Sequence, residues 1–169
     1  MNQRIERGLI VIGLLLVLGF VHWTIVARER LIAEGRVVLL ELAPVDPRSL
    51  MQGDYMALRF RIRDAVHSGP GSMDGRTAGT MIVELDNDSV ASFRRIEQGE
   101  EALAPHEQRL RFKLRRNELR IATNAFFFRE GTGESYRGAK FGEFRVAESG
   151  DALLVALRDK DRVVLGTAR

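Results

Sequence analysis

The side chains able to do chemistry are few and scattered. Ser49 and Lys140 would make the simplest hydrolytic pair, a hydroxyl nucleophile and an amine that burial tunes towards neutral pH. Histidine chemistry would need His67 and His106 to converge with carboxylates, because His22 lies inside an apolar run; neither HxH nor HExxH spacing occurs. Asp86-Asn87-Asp88 has the residue types of a calcium loop but not its full pattern or closing glutamate, and reads as a hairpin turn. Glu130-Gly131-Thr132-Gly133 is glycine-rich, yet no Lys-Ser/Thr follows to complete a phosphate loop. Glu130 and Glu143 are available as a pair of carboxylates, with solvated or salt-bridged side chains as the ordinary reading. With no cysteine, disulfides, thiolate metal sites and a cysteine nucleophile are excluded. No catalytic constellation emerges, and the sequence predicts no enzyme, no metal and no cofactor.

The basic residues are the other chemical resource. There are 26 Lys and Arg against 23 Asp and Glu, a net charge of +3. A near-balanced chain titrated by arginine has a high pI without a strong field, so nucleic acid is not the expected partner. The bases are concentrated in ladders: Arg59 and Arg61 on one segment, Arg109, Arg111, Lys113 and Arg115 on another. Were the two segments to adjoin, a basic strip would result, able to bind lipid phosphates or an acidic partner. The favoured reading is the wet face of an antiparallel sheet, with acids such as Glu84 and Glu118 opposite.

The elements that position these residues begin with an anchor. Residues 8–27, GLIVIGLLLVLGFVHWTIVA, run without Asp, Glu, Lys or Arg. At helical rise they span about 30 Å, the thickness of a bilayer hydrocarbon core. His22 and Trp23 stand near the far end, where amphipathic rings favour the interface. The run is longer than a signal peptide's apolar region, and Ile25 occupies the place before Val26-Ala27 where a cleavage site wants a small residue. The sequence predicts a tail over 1–7, a transmembrane helix over 8–27, a helical juxtamembrane linker over 28–35 and a soluble β-rich domain over 36–169. Flanking arginines are nearly level, so orientation rests on the habit of short N-terminal tails to stay in the cytoplasm.

Beyond Gly35 the hydrophobic period changes to two. Strands are expected over 36–42, 55–62, 80–85, 90–96, 109–115, 118–122, 125–129, 141–146, 152–158 and 162–165, with a helical turn in 135–141. Residues 67–79 read as a loop and 97–108 as a connection. In 55–62 the apolar face is Met56, Leu58, Phe60 and Ile62, and the other is Tyr55, Ala57, Arg59 and Arg61. The fold class expected is mainly β: an antiparallel β-sandwich or partly open barrel, with one or two short helices, behind the transmembrane helix.

Gly53-Asp54-Tyr55-Met56-Ala57-Leu58-Arg59-Phe60 resembles the signature of the GDYXXLXY family of membrane-anchored bacterial proteins, with Phe60 in place of the final Tyr. Residues 44–52 are similar to that family's lead-in. Residues 126–146 are similar in Glu130-Gly131, Tyr136 and Phe141-Gly142-Glu143. The resemblance implies a single-span protein of the inner membrane with an extracytoplasmic, periplasmic domain, working beside a multi-pass membrane protein, and it carries no activity. The candidate motif residues are Gly53, Asp54, Tyr55, Leu58, Phe60, Glu130, Tyr136 and Glu143. Read physically, Gly53 permits a tight turn, Asp54 caps it and Tyr55 opens a strand. This makes a rigid corner, with a binding site for a small molecule, lipid or envelope polymer as the alternative. Residues 47–55 also resemble the nucleophile region of type I signal peptidases, but Val45 stands where that family's serine falls and Ser49 is displaced towards Gly53.

Overall fold

A computed structural model describes residues 3–43, 51–52, 55–68, 77–99, 101–115 and 118–166. The chain divides into two compact units, Met1–Glu34 and Gly35–Arg169. The first is a single helix, α1 (Gln3–Glu34). Its composition is apolar on every side through the middle, so no stripe marks one face for a protein core. The segment Ile10–Glu34 contains a window of mean hydropathy 2.5, none of which is buried. Leu16 is 70% and Phe20 65% exposed. Helix runs through the expected linker without a break and stops before Gly35, where the chain bends before the first strand begins.

The second unit is mainly β. Its elements are β1 (Arg36–Glu41), β2 (Met51–Gln52), β3 (Tyr55–Ala57), α2 (Ile62–Ser68), β4 (Ala78–Leu85), β5 (Ala91–Ile96), β6 (Glu107–Arg115), β7 (Glu118–Arg120), β8 (Ala125–Phe127), a 3-10 turn (Gly133–Tyr136), β9 (Phe141–Val146) and β10 (Ala152–Arg158). They form three sheets, ordered β1-β9-β10, β2-β3-β8 and β5-β4-β6-β7. Every ladder among these strands is antiparallel. Backbone hydrogen bonds cross between them: Leu39 N donates to Ser89 O at 2.8 Å and Arg111 N to Gly150 O at 2.9 Å. One buried cluster runs through the sheets, with Val38, Leu40, Met81, Leu110, Phe144 and Leu157 at its centre.

Alternation located the strands well where it continued without interruption. Strands β9 and β10 occupy the expected spans, and β6 extends the expected one by two residues at its start. In β6, Gln108, Leu110 and Phe112 are buried, while Arg111 and Lys113 are exposed. The 55–62 reading is half right. Met56, Leu58, Phe60 and Ile62 are all buried, but only Tyr55–Ala57 is strand. From Leu58 the chain changes partner: Leu58 N donates to Asn124 O, then Ala43 N donates to Arg59 O and Arg61 N to Glu41 O. Facing is preserved while pairing moves from β8 to the end of β1.

Helix α2 was not expected. Ile62 and Val66 are buried, and their i, i+4 spacing together with Asp64 in the first turn was the signal available. It takes in His67, which the sequence assigned to a loop. The helical turn falls on Gly133–Tyr136 rather than 135–141, and of 162–165 only Val164 forms a β-bridge, with Arg158.

Two hairpin turns share one construction. Asp86 Oδ1 accepts from Asp88 N at 2.9 Å and Val90 N at 2.8 Å, and Asp159 Oδ1 accepts from Asp161 N and Val163 N, both at 2.9 Å. Ser89 and Arg162 take the left-handed conformation at the same place in each, φ 63° and 64°. The carboxylate satisfies amides that the turn leaves without a ladder partner. Asp86-Asn87-Asp88 is thus a hairpin turn, as its residue types suggested, and Asp88 reaches across to Arg162 at 2.8 Å.

Candidate functional site

The family-like residues form a seam where the segment after β3 crosses onto β9. Phe60 is buried and meets Phe144 edge-on, with centroids 5.6 Å apart. Between them lies Gly142. A Cβ there would come within 3.2 Å of the Phe144 ring, 3.3 Å of Leu154 and 3.5 Å of the Phe60 ring. A side chain at 142 would overpack this contact, so the Phe-Gly-Glu segment needs glycine for close approach.

Glu143, next in the strand, points to the opposite face and is 5% exposed. It lies opposite Leu39 on β1 and Ala156 on β10. Arg158 Nε donates to its Oε2 at 2.7 Å, and Arg145 Nη2 stands 3.9 Å from Oε1. Arg158 also donates to Arg162 O at 2.6 Å, and Arg145 to Gly35 O at 3.3 Å. A carboxylate this buried is tolerable because it is charge-paired and hydrogen-bonded. Its oxygens face two guanidinium groups, which makes it a tie between β9 and β10.

Tyr55 and Tyr136 sit in separate aromatic groupings. Tyr55 lies opposite Phe127 across the β3–β8 ladder, with ring centroids 5.8 Å apart. Phe126 and Phe128 point the other way and clasp the buried Tyr136 at 5.2 and 5.3 Å. The Tyr136 hydroxyl lies over Gly166, where an added Cβ would overlap it. Tyr55, Tyr136 and Phe126–Phe128 therefore do not converge on one pocket: alternation along β8 sends Phe127 away from its neighbours. Glu130 is exposed in the turn that Thr132 closes onto Arg129 O, with Gly131 at φ 78°. Gly53 and Asp54, and Ser49 with them, lie outside the described residues. Lys140 is exposed, and its backbone links Leu42 to Arg158. His106 stands 3.8 Å from Glu84.

A cleft among the described residues lies at the other end of the motif. It has a volume of about 300 Å³ and is walled by Leu58, Arg59 and Phe60, by Arg63 of α2, by Glu118–Arg120 of β7, and by Thr123–Ala125. The connection behind β7 is ordered by its own polar groups. Asn124 Nδ2 donates to Leu119 O at 3.1 Å, and Thr123 Oγ1 donates to Ala125 O at 3.0 Å. Asn124 Oδ1 is buried with no partner among the described residues. Leu58 and Phe60 were expected as core, and they are; sequence reasoning did not find that Arg59 and Arg120 would share a cleft. The two lie 61 positions apart in the numbering, and the β7–β8 return brings them together.

The basic ladder on β6 has two halves. Arg109 Nε binds Glu97 Oε1 at 2.7 Å and Arg111 Nη1 binds Asp151 Oδ1 at 2.9 Å. Lys113 instead lies directly opposite Arg120 on β7. Arg115 has Glu118 as its cross-strand neighbour. Arg61 pairs with Glu41 at 2.7 Å and Glu84 with Arg94 at 3.7 Å. On the neighbouring β5, Arg95 is gripped by Glu107 and Glu101. The Arg95 hydrogen bond, followed by one from Ala104 N, holds the Glu107 carboxyl below its ordinary value of 4.5.

These features define a class: a mainly β domain behind an N-terminal apolar helix long enough to cross a membrane. A family model described as GDYXXLXY protein matches residues 17–157, and the chain belongs to that family. No curated protein and no solved structure matches the chain.

Proposed function

We propose that this protein is a membrane-tethered accessory domain that works beside a multi-pass membrane protein, with its N-terminus cytoplasmic and its β-rich domain outside the inner membrane. The observation that carries the reading is α1: a stretch of mean hydropathy 2.5, none of it buried among the described residues. Water does not solvate such a surface, and a bilayer does. The motif residues support an accessory role by what they touch. Phe60 and Tyr136 pack into the core, Gly142 admits the Phe60–Phe144 contact and Glu143 ties β9 to β10, so these family-like residues serve to build the domain. The partner class comes from the resemblance to a family whose members are often encoded beside multi-pass membrane proteins.

Three measurements test the three parts. Alkaline carbonate should leave the full-length chain in the membrane pellet; release into the supernatant would end the tether. The chain has no cysteine, so Lys160→Cys, at an exposed turn, supplies a single label. A membrane-impermeant maleimide should modify it in spheroplasts before lysis, and modification only after lysis would reverse the orientation. Crosslinking followed by purification in mild detergent should recover a multi-pass protein, and recovery of the chain alone would remove the partner.

A further inference from the structure

The uncompensated half of the β6 ladder and the cleft beside it belong together. Other basic residues nearby are paired: Arg109 with Glu97 and Arg111 with Asp151 on β6, and Arg61 with Glu41. Lys113 and Arg120 are placed side by side instead, both exposed, and neither makes an ion pair among the described residues. Like charges directly opposite in an antiparallel pair cost stability. Arg120 continues into the lining of the 300 Å³ cleft, which Arg59 also lines, likewise exposed and without an ion pair among the described residues. Arg63 adds a third guanidinium to the lining, and Glu118, the cleft's carboxylate, has Arg115 across the strand. The floor beneath is apolar, from Leu58, Phe60 and Leu119.

We propose that this cleft binds a phosphate group, gripped between Arg59 and Arg120 with Lys113 contributing charge from the adjoining face. Arg59, Arg120 and Lys113 alone carry more positive charge than the one carboxylate, Glu118, would neutralise. Guanidinium forks lining one cleft suit an anion with several oxygens, and Arg is the side chain that matches phosphate bidentately. The phosphate is supplied by a phospholipid headgroup or by a soluble phosphate ester; both present the same oxygens to the arginines. The site is independent of the tether's orientation and of the multi-pass partner.

The test uses the full-length protein in a non-ionic detergent, titrated by calorimetry at constant ionic strength. The probes are inorganic phosphate, glycerol 3-phosphate and a short-chain phosphatidylglycerol below its micellar concentration. Saturable binding of at least one probe, weakened about tenfold by Arg59→Gln and by Arg120→Gln, is the expected result. Arg61→Gln, on the residue paired with Glu41, should leave affinity unchanged. Binding of either soluble probe assigns the source to a soluble phosphate, and binding of phosphatidylglycerol alone assigns it to lipid. Absence of saturable binding with all three probes would overturn the proposal, as would binding that both substitutions leave intact. Both arginines are exposed, so circular dichroism should match the wild type. Should Arg59→Gln misfold, Arg59→Lys replaces it, and undiminished binding by both Arg59→Lys and Arg120→Gln would count against the site.

Discussion

The seam at β9 and the edge at β6–β7 use the same residue types to opposite ends. At β9, Arg145 and Arg158 close on one carboxylate that is almost wholly buried, and phenylalanines pack against a glycine on the other face of the strand. At β6–β7, Lys113 and Arg120 share a cross-strand position with no acid between them. The first arrangement would be intolerable if left incomplete, because a buried charge without its partner is expensive. The second is tolerable because water screens it, and its charges stay available to a ligand. Charge that is consumed internally builds the domain, and charge that is left over at a cleft marks where something else binds.

Four substitutions sharpen or break this contrast, each read by denaturant unfolding of the full-length protein in detergent. Phe60→Ala should have the largest effect, a loss of about 3–4 kcal/mol, because the ring is fully enclosed and Gly142 cannot fill the space. Glu143→Gln keeps the shape but removes the charge between Arg145 and Arg158, and should cost about 2–3 kcal/mol, discounted for the partial exposure of both arginines. A neutral outcome there would mean that the β9 tie is packing alone.

Glu107→Gln should have a smaller effect with a distinctive pH dependence. The folded carboxyl titrates below its ordinary value of 4.5, so its contribution is present in full above that value. The contribution fades as pH falls through the lower folded value. The difference between wild type and variant should therefore persist at neutral pH and vanish in acid; a difference independent of pH would discard the Arg95 clasp as its cause. Lys113→Gln should have the smallest effect and the opposite sign, stabilising by about 0.2–1 kcal/mol through relief of the Arg120 repulsion. Destabilisation by this change would show that Lys113 has a structural partner and would dissolve the contrast between seam and edge.

Much of the fold was legible because side-chain facing follows directly from period. Phe141–Val146 and Ala152–Arg158 were readable to the residue, and the buried set Met56, Leu58, Phe60 and Ile62 was readable as a set. The end of β3 was not. Alternation continued through a change of hydrogen-bonding partner, and a period reports which way side chains point rather than which strand lies beside them. Helix α2 escaped for a related reason, since its seven residues carry one i, i+4 apolar pair and little else.

The candidate site was legible in part. Tyr136 and Glu143 were picked out, yet their surroundings came from elsewhere in the chain: Phe126 and Phe128 from β8 for the tyrosine, Arg158 from β10 for the glutamate. That Arg59 and Arg120 would line one cleft had no sequence signal at all.

By itself the sequence determined that α1 is a long apolar helix and that the remainder is a chain of short amphipathic strands, because both follow from local composition and spacing. Tertiary structure decided which charges are spent and which are free. An ion pair depends on a distance between residues remote in sequence, and only the pairing of β6 with β7, of β3 with β8 and of β9 with β10 sets those distances.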